Sequence, residues 1–196
     1  MPTILLIRHG ETVWNRELRV QGHGDSPLTP KGIAQARAYG SKIREMLGDA
    51  HGWRVVSSPL GRCVQTTGIL AEVAGLRFDA VTFDERLREV HAGSFSGRPR
   101  ADLAAVHPDI WDGKGEAYWV FRTPGGESYT DVAIRVKAWW DSLAPGDTVI
   151  AVSHGIAGKV LRGQILGLSP DAAMAEDSPQ TALFRVSPGV VERVEC

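Results

Sequence analysis

Ile4-Leu5-Leu6-Ile7-Arg8-His9-Gly10 decides the fold class of this chain. Its first four residues are a continuous apolar run, too short to cross a membrane and without the alternation of a strand that has one wet face. Such a run reads as a strand buried on both faces, as in a parallel sheet. It ends at Arg8, and a histidine and a glycine follow. The same order recurs at Thr148–Ser153, where a buried strand is followed by His154 and Gly155. In an open α/β sheet the carboxyl ends of the strands present the binding and catalytic groups.

Outward from these two points, strands alternate with helices. Thr29-Pro30 reads as an N-cap followed by proline at the first helical position, and that helix runs to about Leu47. Its stripe is Ile33, Ala36, Ile43 and Leu47, with Gly32 and Gly40 suited to close packing on a sheet. Trp53 to Ser57 is a second short strand. Ser58-Pro59 repeats the cap-then-proline pattern and starts a helix to about Ala74, closed by Gly75. Ala80 to Phe83 is a weaker strand. Residues 84–125 are irregular, with one helical segment from about Pro99 to Val106 that Pro108 and Gly113 bring to a stop. Gly126 to about Leu143 is a long helix with Val132, Val136, Trp139 and Leu143 on one stripe. Gly155 to Leu166 is another, and residues 181–194 fit two strands around Pro188-Gly189. The expectation is an α/β fold: a three-layer sandwich with a mostly parallel central sheet flanked by helices, plus a lid-like insertion around 84–125, all in a single domain spanning 1–196.

The bulk numbers exclude several classes. The formal charge is -1, from 22 basic and 23 acidic residues among 196. Nucleic-acid binding would need a basic excess on one face, so no nucleic-acid partner is expected. No apolar run approaches the roughly 18 residues of a membrane span, and Met1-Pro2-Thr3 lacks the basic region of a signal peptide, so the expected place is the cytoplasm, with no membrane partner. Cys63 and Cys196 give neither a disulfide framework nor a metal spacing, and no metal and no cofactor are expected.

Imidazole is a competent nucleophile near neutral pH, provided one ring nitrogen is bare and the other donates to a fixed acceptor. For His9 the backbone at Gly10 could be that acceptor. The guanidinium groups of Arg8 and Arg62 match phosphoryl oxygens in paired hydrogen bonds. His154, at the start of a helix, would donate to a phosphoryl oxygen and stabilise the transition state. Taken alone, each histidine is equally a strand-end residue with a structural hydrogen bond, and Arg62 reads first as a solvated surface charge until its place after a strand-end turn, on the same side of the sheet as His9, is weighed. A leaving alkoxide needs a proton, for which Asp84, Glu85, Glu89 and Glu11 are candidates. Glu89 is preferred for its place after a strand and beside a loop, but Glu85-Arg86 and Arg88-Glu89 are equally surface ion pairs.

These residues together resemble the histidine phosphatase superfamily, the phosphoglycerate mutase-like family, in its branch of small broad-specificity phosphatases. The resemblance rests on Arg8-His9-Gly10-Glu11-Thr12 with Trp14-Asn15, Gln21-Gly22 followed by Asp25-Ser26-Pro27-Leu28-Thr29, and Ser58-Pro59-Leu60 with Arg62. It continues in Leu87-Arg88-Glu89 with Gly93, in Pro124-Gly125-Gly126-Glu127-Ser128, and in Ser153-His154-Gly155. It implies a phosphohistidine on His9, a phosphate pocket of Arg8, Arg62 and His154, and Glu89 as proton donor and then base for water. It further implies Asn15 as a donor to the phosphate, Ser57 or Ser58 close by, and Gln21 and Gly22 in the bordering loop. Gly155 borders the pocket beside His154.

The expected activity is hydrolysis of a small phosphomonoester without a metal, as a monomer or homodimer. The alternatives are phosphoryl transfer of the cofactor-dependent phosphoglycerate mutase type and a non-catalytic member that binds a phosphate ligand. A mutase would carry extra basic residues between the proton donor and the second histidine. From Arg100 to Gly126 only Lys114 and Arg122 follow Arg100, opposed by Asp102, Asp109, Asp112 and Glu116. Trp111, Tyr118, Trp119 and Phe121 make that span aromatic, as a lid or as core. Two smaller expectations complete the reading. Cys63, beside Arg62, is expected to be buried and inert, the alternative being an oxidisable thiolate if the arginines lowered its pKa. Trp139 and Trp140, adjacent on one helix, would face apart, leaving one as a dimer contact or a cover for the sheet edge.

Overall fold

The computed structural model describes residues 1–110 and 118–196; Trp111, Asp112, Gly113, Lys114 and Glu116 lie outside them. The strands are β1 (Thr3–Arg8), β2 (Arg54–Ser57), β3 (Thr82–Phe83), β4 (Thr148–Ser153), β5 (Ala182–Ser187) and β6 (Val190–Glu195). They form one sheet in the order β3-β2-β4-β1-β5-β6. The first four of these neighbours pair in parallel, and β5 and β6 extend the β1 edge antiparallel. Pro188-Gly189 joins β5 to β6 as expected, with Gly189 at φ 73°.

Among the described residues seven α-helices accompany the sheet: α1 (Val13–Arg16), α2 (Pro30–Leu47), α3 (Gly61–Ala74), α4 (Arg100–Val106), α5 (Tyr129–Asp141), α6 (Gly155–Ile165) and α7 (Pro170–Ala175). β1 is buried on both faces because its alternate residues serve two cores. Leu5 and Ile7 pack with Tyr39 and Ile43 of α2 and Leu70 and Ala71 of α3. Ile4 and Leu6 belong to the opposite core, with Val132 and Val136 of α5 and Val160 and Leu161 of α6. Each such side chain contributes about 1.5–3 kcal/mol by leaving water, and two such layers of contact make the sandwich.

Local chemistry sets the helix starts. Thr29 Oγ1 accepts the Gly32 amide at 3.0 Å, with Pro30 at the first helical position, as the sequence predicts. Gly40 packs on α3 rather than on the sheet, since a Cβ there would stand 2.7 Å from the Leu70 carbonyl oxygen. Three expectations are corrected. Ser58 does not cap α3, which begins at Gly61 without a cap from its own N-cap side chain. Asp25, from a distant loop, takes the Arg62 amide instead at 3.2 Å, which frees Ser58 for the site described below. The helix expected from Gly126 begins at Tyr129, because Ser128 and Asp131 form a capping box there. The third strand is only Thr82–Phe83, preceded by a 3-10 turn at Phe78–Ala80. Two helices have no counterpart in the sequence reading. α1 is a single turn, and α7 follows Ser169-Pro170, another cap-then-proline start.

The stretch 84–125 is compact where described. Leu87, Val90, Phe95, Leu103 and Trp119 are buried in the same core as α5 and α6, and Tyr118 and Phe121 pack against it. Trp139 and Trp140 also share that core, Trp139 buried and Trp140 packing from its edge, so they do not face apart as expected.

Candidate active site

The β1–β4 register puts the two strand-end histidines side by side. Arg8 lies opposite Ser153, and the His9 amide donates to the Ser153 carbonyl at 3.0 Å. The His9 and His154 rings are 5.3 Å apart, centroid to centroid, edge to face. His9 Nδ1 lies 2.8 Å from the Gly10 carbonyl oxygen. A carbonyl only accepts, so Nδ1 carries the proton and Nε2 keeps its lone pair. Gly10 Cα cannot carry a side chain, because a Cβ would stand 2.4 Å from the Gly32 carbonyl oxygen.

Arg62 organises the centre. It is fully buried on the first turn of α3. Its Nε faces His9 Nε2 and His154 Nδ1, each at 3.2 Å, and donates between them. Its terminal nitrogens donate to the carbonyls of Gly22 at 2.7 Å and Gly24 at 2.8 Å and to Asp25 at 3.2 Å. Gly22 has φ 53° and lies against Ala92, where a Cβ would clash at 2.7 Å. The loop 22–25 therefore fixes the guanidinium from behind. With Nδ1 of His154 accepting, Nε2 carries its proton, 2.8 Å from Ser58 Oγ. Both His154 nitrogens are thus engaged with protein.

Burial, and next the positive charge of Arg62, hold both histidines well below the ordinary imidazole value; Arg8 adds to this for both. Both rings are neutral near pH 7. An unfolded chain takes up these protons near pH 6.5 while the native rings do not. Native stability therefore falls with pH from about 6.5 downward, by up to about 1.4 kcal/mol per pH unit for each ring, and gains nothing from them above that pH. Melting temperatures measured from pH 8 to pH 5 are expected to hold and then decline; a flat profile to pH 5 would contradict neutral buried histidines.

The two histidines sit beside a cavity of about 1000 Å³. His9, Arg8, Arg62 and Glu89 line it, with Asn15, Gln21, Gly22 and Gly155 at its border. Ser58 and His154 lie behind that wall. Arg8 donates to the Ser178 carbonyl at 2.6 Å, and its buried Nε has no partner among the described residues. The Asn15 carboxamide oxygen is taken by the Thr12 amide at 3.1 Å and Gln180 Nε2 at 3.4 Å, which leaves its NH2 for a ligand. Further out the wall carries Arg19, Arg100 and Lys159 with Tyr118 and Trp119; among the described residues Asp171 is the one acidic residue there besides Glu89.

Of the four carboxylates weighed from sequence, only Glu89 reaches the cavity. Glu11 is held by Thr29 at 2.9 Å and Lys31 at 3.1 Å. Asp84 pairs with Arg86, and Glu85 with Arg88. Glu89 caps α6 from outside, accepting the amides of Ile156 at 3.1 Å and Ala157 at 3.0 Å as well as that of Val90 at 3.0 Å. Cys63 is buried, and burial pushes its thiol well above the ordinary value despite Arg62. That agrees with the expected buried, inert thiol and counts against the alternative of an oxidisable thiolate, which requires exposure and a lowered pKa. Among the described residues no group of three or more His, Cys, Asp or Glu is placed to hold a metal ion.

Sequence reasoning assigned no part to Asp25, which braces Arg62, or to Gln180, whose Nε2 donates to the His9 carbonyl at 2.9 Å. Asp25 does stand just after a glycine in a quoted motif. Gln180 has no local signal, lying 171 positions from the residue it holds.

A family model described as histidine phosphatase superfamily (branch 1) matches residues 4–189. Probable phosphoglycerate mutase GpmB of Salmonella paratyphi C is 40% identical over 176 residues, 86% of this chain and 76% of that protein. Among solved structures, Bacillus stearothermophilus YhfR superposes with a TM-score of 0.81 at 29% identity, covering 98% of this chain and 95% of its own. A mycobacterial glucosyl-3-phosphoglycerate phosphatase, complexed with VO3, gives 0.77 at 30% identity, covering 99% and 96%. Among the described residues no helix is long and apolar enough to cross a membrane.

Proposed function

The chain belongs to the histidine phosphatase superfamily, and from that premise we propose that it hydrolyses a small phosphomonoester through a phosphohistidine on His9. The observation that carries this reading is the His9 ring itself: Nδ1 is tied to Gly10, and Nε2 is bare of protons and faces Arg62. The phosphoryl group enters between them and takes over the Arg62 Nε donor. The Arg8 Nε, which has no partner among the described residues, meets a second phosphoryl oxygen. Charge compensation and positioning are most of what phosphoryl transfer asks of a protein, and two arginines supply both without a metal.

In the first step the His9 Nε2–P bond forms, the P–O bond to the leaving group breaks, and Glu89 gives its proton to the departing oxygen. In the second step Glu89 takes a proton from water, water oxygen bonds to phosphorus, and the His9–P bond breaks. His154, bonded to Ser58 and Arg62, backs the wall and holds the Arg62 Nε in place.

The cavity is far larger than a phosphate. Its outer cations Arg19, Arg100 and Lys159, beside Tyr118 and Trp119, suit a leaving group with a polar or anionic part and a flat or apolar part. Those same cations favour a second reading, transfer of the phosphoryl group between positions of a phosphoglycerate, which is the activity in the name of the Salmonella relative. Phosphate release from an aryl phosphate, a sugar phosphate, 3-phosphoglycerate and glucosyl-3-phosphoglycerate, in chelator, separates the two. Release from any of them supports the hydrolase. Conversion of 3-phosphoglycerate to its isomer without release overturns it in favour of the mutase. Neither, with no label on His9, leaves a binding protein and overturns both.

A further inference from the structure

Arg135, in the middle of α5, is not on the cavity wall, yet its guanidinium makes five hydrogen bonds. Nε and Nη2 donate to the two carboxylate oxygens of Glu127 at 2.8 and 3.0 Å. Nη1 donates to the carbonyls of Arg86 at 2.9 Å and Arg88 at 2.7 Å, and Nη2 also to that of Glu89 at 3.0 Å. Every N–H of the group is therefore spent. The 3-10 turn Glu85–Leu87 and the two residues after it direct the carbonyls of Arg86, Arg88 and Glu89 onto the one guanidinium. Glu127 secures the other side of the same turn. Its carboxylate accepts the His91 amide at 2.8 Å, and its own amide donates to the His91 carbonyl at 2.9 Å. His23 Nε2 adds a further donor to the Glu89 carbonyl at 2.8 Å.

We propose that Arg135, with Glu127, is a positioning residue for Glu89: it locks the main chain of residues 86–91 so that the Glu89 carboxyl group is held at the leaving-group oxygen without Arg135 touching substrate. This rests on the reading of Glu89 as proton donor. The carboxylate end of Glu89 is anchored by α6 and its backbone by α5, so the side chain spans two helices and moves only if one anchor fails. A lysine cannot replace Arg135. It has three donors on one atom, against five in a planar fork that meets three carbonyls and a carboxylate at once.

The test compares leaving groups. kcat/KM reports phosphoryl transfer to His9, and a 2,4-dinitrophenolate leaves without a proton whereas an alkoxide needs one. Arg135→Met is expected to lower kcat/KM for an alkyl phosphate by about 10–100-fold, the usual cost of misplacing a catalytic group by about an ångström. For 2,4-dinitrophenyl phosphate the loss stays within about threefold, because His9 and its arginines are untouched. Inhibition by vanadate, which reads the phosphate pocket, is unchanged. Arg135→Lys and Glu127→Gln fall between, and they carry the comparison if Arg135→Met fails to fold. Equal losses on both substrates, or none, would overturn the proposal and leave Arg135 a structural brace. Glu89→Gln is the reference. If it shows the selective loss and the Arg135 variants do not, the positioning role alone fails. If it slows both substrates equally, the reading of Glu89 fails and the proposal with it.

Discussion

His9→Ala is expected to abolish turnover, with a fall of roughly 10⁴-fold or more, as when a nucleophile that acts as part of a unit is removed. The reason is specific to the ring's setting. Its Nδ1 proton is fixed on Gly10, its Nε2 lone pair lies at the cavity, and burial with Arg62 and Arg8 keeps it unprotonated. No neighbouring group substitutes. Cys63 is held as a thiol by burial, and both nitrogens of His154 are engaged with Arg62 and Ser58. Labelled substrate quenched in alkali, where phosphohistidine survives, should leave label on His9 in the parent protein and none in the variant. Because His9 is neutral well below pH 6.5, kcat/KM of the free enzyme should not be lost on the acid side through titration of this ring near pH 6–7. Label retained in the alanine variant would move the nucleophile elsewhere and end the present assignment.

Arg62→Met should damage both stability and activity. Removing this fully buried cation strands the carbonyls of Gly22 and Gly24 and leaves Asp25 only the backbone amide of residue 62. Breaking a buried, hydrogen-bonded charge in this way costs about 3–5 kcal/mol. In a chain of this size that is on the order of 10 °C in Tm. Catalysis should fall about 10³-fold, the range for losing a preorganised donor to the transition state. A third readout separates the electrostatic part from simple loosening. Without the Arg62 charge, His9 and His154 should titrate closer to the ordinary imidazole value, still lowered by burial, as followed by NMR of the ring protons. An unchanged Tm with wild-type turnover would show that the arginine is only a space-filling part of the core. Arg62→Lys is not expected to restore activity. Lysine keeps the charge but cannot place one donor between two imidazoles while two others reach Gly22 and Gly24.

The extent to which the site was readable follows the range of the interactions. His9, Arg8 and His154 were legible because each stands at the end of an apolar run, and the strand end is defined by local sequence. The choice among carboxylates was open, since a side chain's partner is a tertiary fact: Glu11, Asp84 and Glu85 each found a local ion pair or cap, and Glu89 found the start of α6. Ser58 misled for the same reason. Serine before proline is a good cap, but Asp25 had already taken the first amide of α3 that needed one, and the hydroxyl went to His154.

Sequence alone determined the alternation of strands and helices, the burial of β1 on both faces, the hairpin at Pro188-Gly189 and the two histidines at strand ends. All of these depend on periodicity, caps and turns within a few residues, where backbone sterics and local hydrogen bonds decide. Only the tertiary structure decided which strands are neighbours. Pairing β1 with β4 across more than 140 positions brought His9 to His154, and the loop at 22–25 and the turn at 86–91 were then fixed by Arg62 and Arg135. Those contacts are set by the burial of whole faces and by buried polar groups finding partners wherever the fold supplies them, and no local pattern in the chain encodes that.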